Sequence, residues 1–145
     1  MKISTKGRYA LRMLLELAMR KDDGFVSLKD IAEHQSISKK YLEQIVPLLS
    51  RGGLLKTNRG YQGGYMLAKS PDAYTVGEIL RVTEGSLAPI PCLEQDKNEC
   101  QRAGQCMSLY VWDGLYKAIT DYVDSITLQD IIEHNAQIQG NDYCI

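Results

Sequence analysis

The chain has 145 residues, 44% of them hydrophobic and 24% charged, which suits one ordinary domain that needs no disulfide bonds. The net charge of −1 hides an asymmetry, because residues 1–70 hold 13 Lys or Arg and 6 Asp or Glu, whereas residues 71–145 hold 4 and 12. The first half, at +7, favours a polyanionic partner, and the absence of an apolar run at its start excludes a leader or membrane span there and favours the cytoplasm.

A first amphipathic helix is predicted between residues 4 and 21, where apolar residues recur at spacings of three and four. The apolar positions are Tyr9, Ala10, Met13, Leu14, Leu17 and Ala18. Arg8 and Arg12 share one turn of this helix, where each fits either a solvated surface or a contact with a phosphate.

A helix-turn-helix is predicted next. Ser27 and Asp30 have capping-box spacing and open a short helix through about Glu33, and Ser38 caps a second helix after a polar break. The second helix has an apolar stripe at Leu42, Ile45, Val46 and Leu49. Its outward residues suit a recognition helix in the major groove. They are Lys39, Lys40, Tyr41, Glu43 and Gln44.

A small wing is predicted after Gly52 and Gly53 end this helix. Two short strands, within residues 54–57 and 59–67, flank a glycine-rich tip, and Arg59 at its base is suited to a narrow minor groove. A nucleotide-binding loop is not favoured, because the P-loop Lys-Ser/Thr pair and the dinucleotide fingerprint are both missing.

A capping box at Thr75 and Glu78 opens another helix, through about Thr83. From residue 84 to residue 105 no hydrophobic period is visible, and a loop of this length is usually functional or disordered. Three of the four cysteines lie there: Cys92, Cys100 and Cys106. Closely spaced cysteines in a reducing compartment favour a metal site or redox sensor over disulfides.

One long amphipathic helix is predicted from residue 108 to residue 126. Its apolar stripe is Leu109, Trp112, Leu115, Tyr116, Ile119, Tyr122, Val123 and Ile126. The stripe fits pairing with the same helix of a second subunit as well as packing within one chain. A short closing helix to about Asn135 and a frayed tail at 136–145 follow. The predicted organisation is a DNA-binding domain at 1–84, a cysteine loop at 85–107 and a helical region at 108–135.

Five stretches together resemble the Rrf2 family of bacterial repressors, namely residues 1–10, 38–44, 59–65, 76–78 and 125–128. The resemblance covers nearly the whole chain and points most to the IscR branch. It implies a mainly α fold, with a winged helix-turn-helix, a two-stranded wing and a long dimerisation helix. It also implies a homodimeric regulator, not an enzyme, that binds double-stranded promoter DNA. The expected DNA-binding residues are Ser38, Lys39, Lys40, Tyr41, Glu43, Gln44, Arg59, Gly60 and Gln62.

The resemblance further implies that Cys92, Cys100 and Cys106 ligate an iron–sulfur cluster, with [2Fe–2S] preferred over [4Fe–4S]. Two features depart from the family pattern. Seven residues instead of five separate the first two cysteines, and Leu109 stands where the IscR branch has a histidine ligand. The remaining candidates for a fourth ligand are a residue of a second subunit, Glu94, Asp96, Glu99 and Cys144.

Other interpretations of the cysteine loop stay open. A cluster-free thiol-redox or cysteine-metabolism repressor of the CymR type needs only free thiols, whereas a zinc site is disfavoured because no C-x2-C motif occurs. An enzyme is not favoured, since His34 and His134 are isolated and no catalytic motif occurs. A ferredoxin-like carrier explains the cysteines but not the basic half with its wing.

Overall fold

The computed structural model describes residues 2–142. Within this range the chain forms six α-helices and one two-stranded antiparallel sheet, as the mainly α prediction requires. The elements are α1 (Thr5–Met19), α2 (Leu28–Gln35), α3 (Lys39–Arg51), β1 (Leu55–Asn58), β2 (Gly64–Leu67), α4 (Val76–Glu84), α5 (Leu109–Ser125) and α6 (Leu128–Asp142).

The hydrophobic core lies between the first four helices and the base of the sheet. The predicted stripes of α1 and α3 face it, and most of their residues are fully buried. Burial of each large aliphatic side chain stabilises the fold by about 1.5–3 kcal/mol. The side chains with no exposed surface include Met13, Leu14, Ile31, Leu42, Ile45, Leu49 and Ile79.

Side-chain caps set where the core helices begin. Ser27, Ser38 and Thr75 each accept a hydrogen bond from the backbone amide three residues ahead, at 3.1–3.3 Å. These caps confirm the predicted helix starts. α2 ends at Gln35 instead of near Glu33, because the helix stops only where Ser36 adopts the left-handed conformation, with φ of 53°.

The last helix is longer than predicted. It opens on a reciprocal cap, in which the Asp130 amide donates to Thr127 Oγ1 (3.0 Å) and the Thr127 amide donates to Asp130 Oδ2 (2.9 Å). It continues to Asp142, whereas the sequence predicts an end near Asn135 and a frayed tail. Residues 136–139 contain no proline or glycine, and Gly140 does not end the helix, because a single glycine inside a helix costs only about 1 kcal/mol. Residues 143–145, with Cys144, lie outside the described residues.

The two C-terminal helices pack on the first four, α5 against α4 and α6 against α1. The backbone before α4 pairs with the backbone before α6, since the Val76 amide donates to the Ile126 carbonyl (2.9 Å) and the Leu128 amide to the Tyr74 carbonyl (3.1 Å). Leu128 is completely buried. α5 packs along α4, and none of its residues is fully buried. Among the described helices, none is long and apolar enough to cross a membrane.

Candidate nucleic-acid interface and cysteine loop

The outward face of α3 is polar and exposed. Lys39, Lys40, Glu43 and Gln44 are all exposed, while the opposite face is buried in the core. Ser38, also exposed, caps the helix by accepting from the Tyr41 amide. Side chains on the first turns of such a helix are those that reach base edges in a major groove.

Tyr41 is only half-buried, and its ring packs against α1. The Tyr41 and Tyr9 rings meet edge to face, with centroids 5.3 Å apart and an interplanar angle of 78°. Such aromatic pairs add about 0.5–1.5 kcal/mol beyond the area they bury. The first turn of α3 is therefore held against the first helix.

The loop between the two strands carries the predicted wing residues. Arg59, Gly60 and Gln62 are exposed, and all three precede β2, which begins at Gly64 within the predicted range of 59–67. A turn forms the glycine-rich tip, since the Gly63 amide donates to the Gly60 carbonyl (3.0 Å). Arg59 and Pro47 of α3 line one cavity of about 550 Å³, so the wing and the recognition helix border the same concave surface.

The wing is fixed to the helix-turn-helix by backbone pairing. Val26, just before α2, exchanges two hydrogen bonds of 2.8 Å with Tyr65 of β2. The two backbones approach so closely that a Cβ on Gly64 would lie 2.3 Å from the Val26 carbonyl oxygen. Only glycine fits at this position without moving the wing.

Tyr74 anchors the base of the wing. Its ring has no exposed surface, and its hydroxyl donates to the Leu54 carbonyl (2.7 Å) and accepts from the Ala68 amide (2.8 Å). The two ends of the hairpin are thereby joined. Burial raises the pKa of the Tyr74 phenol above its ordinary value. The sequence carries no signal for this role, because the partners lie 20 and 6 residues away.

The two arginines of the first helix have different surroundings. Arg8 is exposed and donates to Thr5 Oγ1 (3.1 Å) within its own turn. Arg12 donates to the Gln35 side chain and backbone at the end of α2. Both side chains are exposed, but of the two only Arg12 donates to a backbone carbonyl of another helix.

The cysteine loop holds three free thiols. Cys92 and Cys100 line a cavity of about 260 Å³, and Cys100 is exposed whereas Cys92 and Cys106 are half-buried. Desolvation raises the pKa of Cys92, and the neighbouring Cys100 thiol raises it further. The Ser108 hydroxyl, 3.4 Å from Cys106 Sγ, lowers the pKa of that thiol, with backbone amides at the start of α5 adding to the effect.

The loop does not present a complete ligand set for a cluster. In residues 2–142, no three His, Cys, Asp or Glu side chains are arranged to hold a metal ion. Leu109, for which the resemblance to the IscR branch implies a histidine ligand, is half-buried and has no donor atom on its side chain. Since an iron–sulfur cluster takes four protein ligands, three thiols at these positions do not fit one without rearrangement of the loop.

Two polar junctions connect α4, the helix that precedes the loop, with the rest of the molecule. Glu84, the last residue of α4, accepts from the Ser4 amide (3.1 Å) and hydroxyl (2.6 Å) at the start of α1. Arg81 donates twice to Asp124 near the end of α5, at 2.7 and 2.9 Å. This pairing lowers the pKa of Asp124 and raises that of Arg81. The helix from which the loop departs therefore contacts both α1 and α5.

The apolar stripe of α5 is only partly covered by the other described residues. Tyr122 is 67% exposed and Leu115 is 42% exposed, whereas the other six stripe residues are half-buried. Outside the stripe, Tyr110 and Val111 at the start of the helix are more than half exposed. Large apolar side chains left in water on one helix are typical of an interaction surface.

Comparison with known proteins gives a consistent result. The model of the Rrf2 family, described as iron-dependent transcriptional regulators, matches residues 3–134. The regulator CymR of Bacillus subtilis strain 168 is 42% identical, over 92% of this chain and 91% of that protein. The regulator IscR of Erwinia tasmaniensis is 37% identical, over 92% and 80%. The solved structure of T. potens IscR is 40% identical, with a TM-score of 0.76 over 96% of this chain and 91% of that chain.

Proposed function

Because this chain belongs to the Rrf2 family of transcriptional regulators, we propose that it is a homodimeric repressor whose promoter affinity depends on the chemical state of its cysteine loop. Its relatives are regulators and not enzymes. The observation that carries the proposal is the exposed polar face at the start of α3. The same helix lines a cavity with Arg59 of the wing through Pro47 and Ser50, further along α3.

DNA reading is assigned to two groups of residues. On the recognition helix, Glu43 and Gln44 contact base edges, and Ser38, Lys39, Lys40 and Tyr41 contact bases or phosphates. On the wing, Arg59 enters the minor groove, with Gly60 and Gln62 beside it. The net charge of +7 on residues 1–70 supports this assignment, since phosphate contacts supply much of the affinity for DNA.

The homodimer is proposed to form through α5. Support comes from Leu115 and Tyr122, the two exposed residues of the apolar stripe. Packing two such stripes together buries large aromatic and aliphatic side chains that one chain leaves in water. A two-fold dimer then presents two recognition helices to the half-sites of a palindrome.

Two chemistries are candidates for the signal. Iron–sulfur ligation by Cys92, Cys100 and Cys106 is supported by the thiolate preference of such clusters and by the IscR relatives. A thiol switch is supported by the proximity of Cys92 to Cys100, by the lowered pKa of Cys106 and by the CymR relatives. The first chemistry requires both a rearrangement of the loop, which brings the three thiols together, and a fourth ligand from elsewhere.

Either chemistry acts through the same loop. A change in loop conformation reaches α1 through the bond between Glu84 and Ser4, and it reaches α5 through the pair between Arg81 and Asp124. These junctions support a change in how a dimer presents its two recognition helices.

DNA binding is tested with the full-length protein. A duplex sequence is first selected from a random library, and affinity is then measured by fluorescence anisotropy in a series of salt concentrations. Arg59→Ala should weaken binding, and Glu43→Ala should relax base preference more than affinity. Lys117→Ala on α5 removes one positive charge outside the DNA-binding domain and is the matched control. No enrichment of any sequence by the wild-type protein contradicts the proposed function.

The two chemistries are separated by anaerobic purification. A cluster gives a coloured protein with stoichiometric iron and sulfide, and Cys100→Ala should lose both. A colourless, iron-free protein after reconstitution excludes the cluster and leaves the thiol switch, which thiol-specific mass shifts after mild oxidation then test.

A further inference from the structure

Arg12 lies in the middle of α1 and faces the turn of the helix-turn-helix. Its guanidinium donates to Gln35 Oε1 (3.2 Å) and also to the Gln35 backbone carbonyl. Gln35 is the last residue of α2, so this carbonyl is one of those that a helix leaves without an intrahelical partner. The arginine thus caps α2 from another helix.

Glu16, one turn further along α1, holds the other side of Gln35. It is only 8% exposed, and its carboxylate accepts from Gln35 Nε2 (2.9 Å). His34 Nδ1 lies 2.7 Å from the same carboxylate, and Arg20 contributes a longer contact of 3.7 Å. A buried carboxylate requires such partners, because its desolvation is otherwise costly. The end of α2 is therefore fixed to α1 at several atoms.

The same arginine also reaches the recognition helix through two aromatic rings. The guanidinium carbon of Arg12 lies 5.3 Å from the centroid of the Tyr9 ring, and that ring packs edge-on against Tyr41 in the first turn of α3. Tyr9, Arg12 and Glu16 follow one another at spacings of three and four, so they share one face of α1. Contacts from this face reach the last residues of α2 and the first turn of α3.

We propose that Arg12 is a positioning residue for DNA reading, which fixes the turn between α2 and α3 and thereby the orientation of the recognition helix, without binding a phosphate. The inference depends on the proposed DNA-binding function. Its physical basis is geometric, because a planar guanidinium bridges a side-chain oxygen and a backbone carbonyl and also stacks on a ring, whereas an ammonium group provides one point charge.

Removing the positive charge of Arg12 could weaken DNA binding in two ways, by loss of a phosphate contact or by loss of a positioning contact, and the two have different signatures. Loss of a phosphate contact weakens binding to every sequence and reduces the salt slope by about one. Loss of a positioning contact misaligns the side chains that read bases. It therefore lowers affinity for the selected sequence more than for unrelated DNA and leaves the salt slope unchanged.

The test measures anisotropy with two duplexes, the sequence that the wild-type protein selects from a random library and a scrambled version of it. For Arg12→Gln we expect the ratio of the two affinities to fall about tenfold at an unchanged salt slope. Arg12→Lys should behave like Arg12→Gln, because it retains the charge but not the bridging geometry. Arg8→Gln, one turn away and exposed, is the charge-matched control and should leave the ratio unchanged.

Gln35→Ala provides a second approach that alters no charge. It removes the side-chain half of the junction and should lower the same ratio, and urea unfolding curves verify that each variant is folded. An unchanged ratio in Arg12→Gln and Gln35→Ala overturns the proposal. The proposal is also overturned if Arg12→Gln loses affinity equally for both duplexes and Arg12→Lys restores that affinity. If the wild-type protein selects no sequence, the proposed function fails instead, and the two failures are distinct.

Discussion

Replacing Tyr74 with phenylalanine should destabilise the fold at the base of the wing. The change removes one oxygen atom and leaves the ring, which is completely buried. Without the hydroxyl, the Leu54 carbonyl loses its donor at 2.7 Å, and the Ala68 and Lys69 amides lose their acceptor at 2.8 and 3.3 Å. Each buried polar group left unsatisfied costs about 1–3 kcal/mol. The Ala68 amide retains a long contact of 3.4 Å with the Leu54 carbonyl, so we expect a total loss of about 2 kcal/mol.

Urea unfolding followed by circular dichroism measures this loss. About 2 kcal/mol is a large share of the 5–15 kcal/mol that stabilises a typical domain, and the m-value should not change. Tyr61→Phe is the matched control, because Tyr61 is fully exposed in the wing loop and its hydroxyl should contribute little. A loss below about 0.5 kcal/mol for Tyr74→Phe would refute the assigned role of the hydroxyl.

The same pair of proteins gives a pH signature. Burial raises the folded-state pKa of Tyr74 above its ordinary value of 10.0, so the neutral phenol is favoured in the fold. The associated stability is complete below pH 10 and is lost as pH rises through the raised pKa. The stability difference between wild type and Tyr74→Phe should therefore shrink above about pH 10. A constant difference up to pH 11 contradicts this reasoning.

Three further predictions concern the junctions of α4. Arg81 and Asp124 are 40% and 39% exposed, so a double-mutant cycle with Arg81→Gln and Asp124→Asn should give a coupling of about 0.2–1 kcal/mol at pH 7. Because the pKa of Asp124 is depressed below 3.8, that coupling should be lost as pH falls below about 4, and its persistence at pH 2 contradicts the assignment. Gly77→Ala places a Cβ 1.9 Å from Asp124 Oδ1, so the same cycle in that background should give a coupling near zero. Glu84→Gln removes a negative charge from the start of α1 and should cost about 0.3–1 kcal/mol in thermal unfolding at low salt, and an equal cost at 1 M salt argues against an electrostatic cause.

Local patterns explain why much of the fold could be predicted. The stripe of Leu42, Ile45 and Leu49 and the caps at Ser27 and Thr75 depend on residues within one or two turns, so their consequences are visible in a short window. Local patterns did not fix the exact bounds of an element where turn residues and helix- or strand-forming residues lie next to each other. The pattern placed the second strand only within residues 59–67, of which it occupies the last four, and the last helix continues past its predicted end at Asn135.

Long-range contacts explain what could not be predicted. The role of Arg12 depends on Gln35, 23 residues away, and the role of Tyr74 depends on a carbonyl 20 residues away. No periodicity or spacing in the sequence links these positions. The assignments to DNA contact, from Ser38 through Gln62, and to cluster ligation remain predictions, because each requires a partner molecule.

The central claim is that the cysteine loop governs DNA binding. Its most direct test compares anisotropy titrations of wild-type protein with free thiols and with thiols occupied, either by a reconstituted cluster or by N-ethylmaleimide. The selected duplex serves in both titrations. We expect the wild-type protein to bind the duplex with affinities that differ at least about tenfold between free and occupied thiols. A variant in which Cys92, Cys100 and Cys106 are all replaced by serine should give the same titration curve with and without the treatment. Superimposable curves for the wild-type protein in both states would contradict the central claim.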